Sequence, residues 1–334
     1  MRVGTILLVG GLVVALAVLG GLPSPAQEGP TAAQQDEEST IRVDVDVVNV
    51  LATVRDKKGR LISSLAKNDF LLEEDGVPQE ITYFSQQADL PLTIGLLVDT
   101  SVSQQRLVDE ERSGSFQFFQ QILRNRKDLA FLISFDVDVE LLQDLTDSMT
   151  LLHQGLEQLE IQGSSGGIMP SPVPTSDPTP GTVMYDAIFL ASDEMLKSQV
   201  GRKAIVLVSD GNDYGSRLKI EEALEAAHRN DVVIYAIRYF DREFYFRSGA
   251  MGGGGYGTLK KLGRETGGNV FEVSKKKPLK EIFDEIQAEL RSQYSIGYTS
   301  SRGTSEGGFR KIELNAKDKS LKVAAREGYY PKGS

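Results

Sequence analysis

Asp99-Thr100-Ser101-Val102-Ser103 follows the apolar run Thr93-Ile94-Gly95-Leu96-Leu97-Val98, which places one carboxylate and two hydroxyls on the turn leaving a buried strand. Oxygens in that arrangement suit one hard cation, since Mg²⁺ takes near-octahedral oxygen ligands at about 2.0–2.1 Å and keeps several waters. One carboxylate and two hydroxyls fill part of that shell, and the open part can take a carboxylate from another molecule. An isolated match of this kind reads as an Asp-Ser turn capping the next helix. Here two distant segments supply matching groups: Gly181-Thr182-Val183-Met184-Tyr185-Asp186-Ala187-Ile188, and Ile205-Val206-Leu207-Val208-Ser209-Asp210-Gly211-Asn212-Asp213, the second again at the end of an apolar strand.

These three elements, in this order, resemble the von Willebrand factor type A family. Its metal-ion-dependent adhesion site combines DxSxS, a threonine in a Gly-Thr turn and an aspartate in a (Ser/Thr)-Asp-Gly turn, and the full ordered set is far more specific than any one piece. The resemblance implies that Asp99, Ser101, Ser103 and Thr182 lie next to the metal, with Asp210 coordinating it directly or through a water. It further implies Mg²⁺, with Mn²⁺ or Ca²⁺ as substitutes, a protein partner presenting Asp or Glu, and no catalysis. The stretch Asn68-Asp69-Phe70-Leu71-Leu72-Glu73-Glu74-Asp75-Gly76 is similar to exported bacterial proteins first catalogued as von Willebrand factor A-related in Acidobacteria, a group that also ends in a β-rich tail. The likeness runs from Ile41 to the carboxyl end.

Positioning such a site takes a sheet. Alternating apolar strands and amphipathic helices read as strand Thr93–Val98, helix Val102–Leu123, strands Leu129–Phe135 and Val139–Leu142, and helix Ser148–Leu159. Helix Val183–Lys197, strand Ala204–Val208, helix Ile220–Arg229, strand Val232–Arg238, helix Thr258–Thr266, strand Asn269–Val273 and helix Leu279–Gln293 follow. The alternation predicts an α/β fold, a Rossmann-like doubly wound and mostly parallel sheet covered on both faces. Ligands of such sheets bind at strand carboxyl ends, where Asp99 and Asp210 fall and where Thr182 opens a helix; a helix amino terminus there also favours an incoming carboxylate.

Flanking this core are period-two segments: Ile41–Val54, Leu61–Phe70 and Ile81–Phe84 before it, Gln293–Tyr298, Phe309–Asn315 and Leu321–Arg326 after it. The expected division is a signal peptide or membrane anchor over 1–26, a flexible linker over 27–39, a β-module over 40–90, the type A domain over 91–292 and a β tail over 293–334. The tail and the first β-module are expected to pair into one small accessory module. Two loops stand out, Gln162–Pro180, rich in Pro and Gly, and Tyr239–Tyr256, which joins Phe240, Phe244, Tyr245 and Phe246 to a glycine run. The first suggests partner contact or disorder; the aromatics of the second are either partner anchors or packed on the domain's own surface.

With 334 residues, 40% hydrophobic, the chain is long enough for a full core, and its formal charge of -10 argues against a nucleic-acid partner. Lys275-Lys276-Lys277, the dense basic run, reads as a solvated turn. Met1-Arg2, the apolar stretch Val3–Leu22 and Pro23-Ser24-Pro25-Ala26 follow the order of a secretory signal with cleavage after Ala26, although about 20 apolar residues also suffice to span a bilayer. Export to the periplasm, cell surface or medium is therefore expected, with the membrane touched only through this segment. The chain has no cysteine, so its stability comes from core burial and bound metal and not from disulfides.

Rival chemistries fit less well. Gly163-Ser164-Ser165-Gly166-Gly167 matches a nucleophile elbow in letters, but it lacks the preceding strand and following helix. The two histidines, His153 and His228, sit on helices. Gly252–Gly257 contains GxGxxG, separated from its strand by the aromatic loop, where a dinucleotide site needs direct succession. A Mg²⁺-dependent hydrolase or phosphatase using Asp99 as nucleophile calls for a second carboxylate and a lysine, which Thr100–Ser103 does not contain, and a purely structural, metal-stabilised scaffold is the third reading.

Overall fold

The computed structural model describes residues 47–86, 90–104, 108–124, 126–160, 181–240, 255–302 and 307–331. The chain divides into Met1–Asp44 and Val45–Ser334, and every described element lies in the second unit. The signal or anchor segment, the linker, loop 162–180 and most of loop 239–256 fall outside the described residues. Among the described residues no helix is long and apolar enough to cross a membrane.

The strands are β1 (Val47–Arg55), β2 (Phe70–Glu74), β3 (Val77–Pro78), β4 (Ile81–Gln86), β5 (Leu92–Asp99), β6 (Leu129–Phe135), β7 (Val139–Thr146), β8 (Arg202–Ser209), β9 (Val232–Arg238), β10 (Val270–Glu272), β11 (Tyr294–Thr299), β12 (Arg310–Ala316), β13 (Lys322–Ala325) and β14 (Gly328–Tyr329). The helices are α1 (Val108–Ile122), α2 (Met149–Glu157), α3 (Met184–Leu190), α4 (Ile220–Arg229), α5 (Gly255–Thr266) and α6 (Leu279–Arg291).

Six strands form the central sheet in the order β10-β9-β8-β5-β6-β7. All neighbours in it are parallel except β6 and β7. Every residue of β5 and of β8 is buried, as the middle of a parallel sheet covered on both faces requires. Alternate side chains go to opposite faces: Leu96 and Val98 join Phe118, Phe119 and Phe283 on one, while Leu97, Phe131 and Ile133 join Met184 and Leu259 on the other. β5 and β8 are neighbours, and the helices after them, α1 and α4, pack on opposite faces of the sheet, the arrangement in which ligands of such sheets bind at the strand carboxyl ends.

Segments from both ends of the chain build the accessory module. β1 lies antiparallel between β11 and β13, β4 pairs the far side of β11, and β12 pairs β2 and β14. The product is two four-stranded sheets, β13-β1-β11-β4 and β14-β12-β2-β3, which share one core that includes Val50, Phe70, Tyr294 and Ile296. Tyr294 packs edge-on to Phe70 at 5.3 Å between ring centres. Arg55 ties this module to α6 through Glu285 at 2.9 Å and through Glu289.

Several elements differ in extent from the expectation. The helix expected from Val102 opens instead with a 3-10 turn over Val102–Gln104, and α1 starts at Val108, because Gln104 N closes on Ser101 O and Ser101 N turns back to Asp99. The helix expected over Val183–Lys197 is α-helical to Leu190 and then passes into a π turn, Ala191–Met195. β7 is twice the expected length and antiparallel. Leu61 makes only an isolated bridge to Arg55 and a 3-10 turn precedes Phe70, so the segment expected over Leu61–Phe70 is not a strand.

Candidate metal centre

Because β5, β6, β8 and β9 run parallel, their carboxyl ends meet at one edge, and the turns leaving them carry the candidate groups. Asp99 ends β5 at 1% exposure and Asp210 follows β8 at 3%. Ser101 N donates to Asp99 Oδ1 at 3.0 Å, an Asx turn that folds the serines back over the carboxylate. Ser101 Oγ lies 2.9 Å from Ser103 Oγ, which donates to Asp210 Oδ2 at 3.0 Å. Four of the five expected residues, Asp99, Ser101, Ser103 and Asp210, are thus joined in one run of hydrogen bonds, through the Ser101 N–H at Asp99 and through hydroxyls from Ser101 to Asp210.

Thr182 joins the same edge through its backbone. Its carbonyl accepts from Tyr214 N at 3.0 Å and Gly215 N at 3.2 Å, on the loop that leaves Asp210, while the next residue, Val183, donates to Asp136 O at 2.8 Å just beyond β6. Thr182 is buried. Gly181 before it has no room for a side chain: a Cβ there would stand 2.5 Å from Tyr214 Cβ.

Ser209, Asn212 and Asp136 complete the arrangement. Ser209 Oγ donates to Asp99 Oδ2 at 2.6 Å and accepts from Gly211 N at 3.0 Å. Asn212 approaches Asp210 Oδ1 with its backbone N at 3.0 Å and its side-chain amide at 3.1 Å. Ser209 and Asn212 flank the Asp-Gly turn, so their position beside Asp210 was readable; Asn212 holds Asp210 locally, whereas the bond of Ser209 to Asp99 depends on the β5–β8 pairing. Asp136 takes part through its backbone, its carbonyl accepting from Val183 N beside the Thr182 turn, and burial raises its carboxyl above the usual range.

Burial and then the charge of Asp210 push the Asp99 carboxyl up to about 7, against the hydrogen bonds from Ser101 and Ser209 that pull it down. Every group bonded to Asp99 is a hydroxyl or a backbone N–H. Among the described residues no cationic side chain bonds Asp99, and two buried carboxylates close enough for one to raise the other suit an added cation. The donor chemistry fits a hard divalent ion: carboxylate and hydroxyl oxygens, with neither sulfur nor imidazole. Among the described residues no group of three or more His, Cys, Asp or Glu side chains is poised to hold a metal, and the fit rests instead on two carboxylates completed by hydroxyls.

The rim carries exposed aromatics. Tyr214 is 73% exposed and Tyr256 40%. Phe240 of the aromatic loop lies against its own domain, with the Arg238 guanidinium 4.5 Å from its ring centre, and Tyr239 is buried with its hydroxyl bonded to Glu110. Phe244, Tyr245 and Phe246 fall outside the described residues.

The doubly wound sheet, with DxSxS leaving β5 and an Asp-Gly turn leaving the neighbouring β8, has the arrangement that the resemblance to the von Willebrand factor type A family implies. No family profile matches the chain, and no curated protein does. Among solved structures it is similar to an aerotolerance-related membrane protein from Bacteroides fragilis at 16% identity and TM-score 0.42, over 60% of this chain and 98% of that one. It is also similar to proximal thread matrix protein 1 of the mussel byssus with a zinc-occupied MIDAS motif, at 13% identity and TM-score 0.44, over 66% and 50%. The PilB minor pilin from Streptococcus sanguinis gives 15% identity and TM-score 0.43, over 61% and 62%. The fold class rests on the strand order and on the position of the candidate site.

Proposed function

We propose that this chain is a metal-dependent protein-binding module acting at the cell envelope or outside the cell. In this reading Asp99, Ser101, Ser103 and Thr182, with Asp210, hold a divalent cation, Mg²⁺ first, with Mn²⁺ or Ca²⁺ able to replace it. When bound, the ion supplies a Lewis-acidic position for an Asp or Glu carboxylate of a partner protein. The protein's own groups do the positioning: Ser209 and Ser101 hold Asp99, and Asn212 holds Asp210.

The observation that carries this reading is the hydroxyl bridge of Ser103 to Asp210, 3.0 Å long and closing across 107 residues of sequence onto the buried Asp99 turn. Two carboxylates with three hydroxyl-bearing residues leave a cation short of ligands, as capture of an outside carboxylate requires. Asp210 does provide the second carboxylate that a phosphotransferase needs. Asp99, however, is held at both oxygens by Ser101 and Ser209 and, among the described residues, has no lysine partner, which favours binding over nucleophilic attack.

The test is capture from envelope extract by the full chain, with and without chelator, alongside Asp99→Ala. Loss of the same partner under both treatments, and again when the partner's contacting Asp or Glu is changed to Asn or Gln, supports the reading. Capture that persists in chelator refutes it.

A further inference from the structure

β12 and β13 follow each other in the chain but join different sheets, β12 between β14 and β2, β13 at the end of β13-β1-β11-β4. Where they part lies a cleft of about 660 Å³, lined by both strands, by Lys260 and Arg264 of α5, and by Gly268 and Asn269 on the turn into β10. Val270 on the same wall opens β10, a parallel strand whose carboxyl end lies at the edge of the candidate cation site. The cleft therefore sits toward the other end of the sheet and shares no residue with that site.

One side of β13 is bonded to β1 and the other is turned to the cleft. Ile62 N donates to Val54 O at 2.8 Å, so Val54 directs its backbone groups away from β13, and Val54 is registered with Val323. In an antiparallel ladder such a pair exchanges no hydrogen bonds. The N–H and C=O of Val323 thus point away from β1, as do those of Ala325 by the two-residue repeat, and among the described residues neither has a backbone partner on that side. The open stretch ends at Arg326: a Cβ on Gly267 would stand 2.5 Å from Arg326 N, and Glu327 N donates to Glu265 O at 2.9 Å. Unpaired N–H and C=O groups along a strand edge are a template for one more strand.

Charge selects among possible strands. Lys260, Arg264, Lys311 and Arg326 line the cleft against Glu313 and Glu327, on a chain whose formal charge is -10. Arg264 pairs with Glu327 at 3.0 Å, Lys311 with Glu313 at 2.5 Å and Arg326 with Asp231, so the excess falls on Lys260, which is exposed. We propose that this cleft binds an extended acidic segment of a partner protein, which adds to β13 as a further strand and sets a carboxylate against Lys260. The inference stands apart from the cation reading, and binding here needs no metal.

The test selects randomised short peptides, displayed on phage, on the full chain in chelator, which silences the candidate cation site; an enriched peptide is then titrated by fluorescence anisotropy. Enriched sequences are rich in Asp and Glu, and salt weakens their binding. Val323→Pro deletes the outward N–H at a position where an edge strand accepts proline and weakens the peptide ~10-fold or more, the worth of one or two hydrogen bonds. Val323→Ala, which keeps the N–H, does not, whereas Lys260→Glu does. Methylating alternate amide nitrogens of the peptide abolishes its binding to the unaltered chain, a readout that stands whether or not Val323→Pro folds. Absence of enrichment, or enriched peptides indifferent to amide methylation and to Lys260→Glu, overturns the inference. Binding of heparin with no peptide overturns it too, and gives the cleft to an anionic polysaccharide.

Discussion

Ser209 donates its hydroxyl to Oδ2 of Asp99 at 2.6 Å, joining the last residue of β8 to the last residue of β5. The two strands pair from Leu92↔Arg202 through Val98↔Val208, so sheet register alone decides that this hydroxyl meets this carboxylate. Asp99 is thereby aimed by the fold itself, and its burial, with Asp210 close by, raises its carboxyl to about 7.

Asp99→Asn therefore separates the charge of this residue from its shape. Asparagine keeps an oxygen for Ser101 N or Ser209 but removes the charge, so Mg²⁺ affinity falls ~100-fold while the melting temperature in chelator is at least that of wild type. Calorimetric titration and melting curves measure both. A variant that binds Mg²⁺ as wild type does would place the ion elsewhere.

The Thr182 turn makes a steric prediction. Gly181→Ala sets a methyl 2.5 Å from Tyr214 Cβ and 2.7 Å from its carbonyl carbon, closer than real contacts come, so the turn and the loop after Asp210 must move apart. Mg²⁺ affinity then drops ~10-fold or more, while the core beneath is untouched and melting in chelator changes little. An unaltered affinity would show that Thr182 is not a ligand.

How much of this was legible follows from what is local. β5 and β8 were read because unbroken apolar runs have one use in an α/β chain, and Asp99, Ser101, Ser103 and Asp210 were read because each lies within four residues of a strand end. The burial of Glu111 was not legible, since a glutamate in an amphipathic helix reads as solvent-facing until the helix is docked. Glu74 was read as part of a turn and Arg310 as an ordinary strand residue, because their pairing needs β2 and β12, more than 200 residues apart, to be neighbours. The β-module was recognised as joining both chain ends, but its split into two sheets depends on strand pairings that no local pattern encodes.

His228 supplies a pH dependence. Burial first, and then the Arg326 charge, lower its pKa from 6.5 to about 4, with its ring edge-on to Phe309 at 5.2 Å between centres. The folded value lies below the unfolded one, so between pH 6.5 and about 4 the unfolded chain holds more protons. The contribution is complete above that window and is lost as pH falls through it, on the order of 2 kcal/mol for this one group. His228→Phe should shrink the difference in stability between pH 7.5 and 4.5 by about that amount; denaturant titrations at the two pH values measure it, and an undiminished difference would assign the acid sensitivity to carboxylates.

Glu74 holds the accessory module together from inside. It is fully buried, accepting from Tyr298 at 2.7 Å and Tyr329 at 3.0 Å on one oxygen, and from Ser300 at 2.6 Å and Arg310 at 3.4 Å on the other. These donors come from β11, β12, β14 and the turn after β11, so one carboxylate links both sheets. Glu74→Leu removes the acceptor from buried donors, one of them a guanidinium, at a cost of about 3–5 kcal/mol, whereas Tyr298→Phe removes a single hydroxyl and costs about 1–2 kcal/mol. Because β11 continues directly from α6, and Arg55 grips Glu285 and Glu289 on that helix, the loss should lower the melting temperature of the whole described unit in one transition. A separate early transition, with near-ultraviolet signals of the central sheet retained, would instead show that the module unfolds on its own.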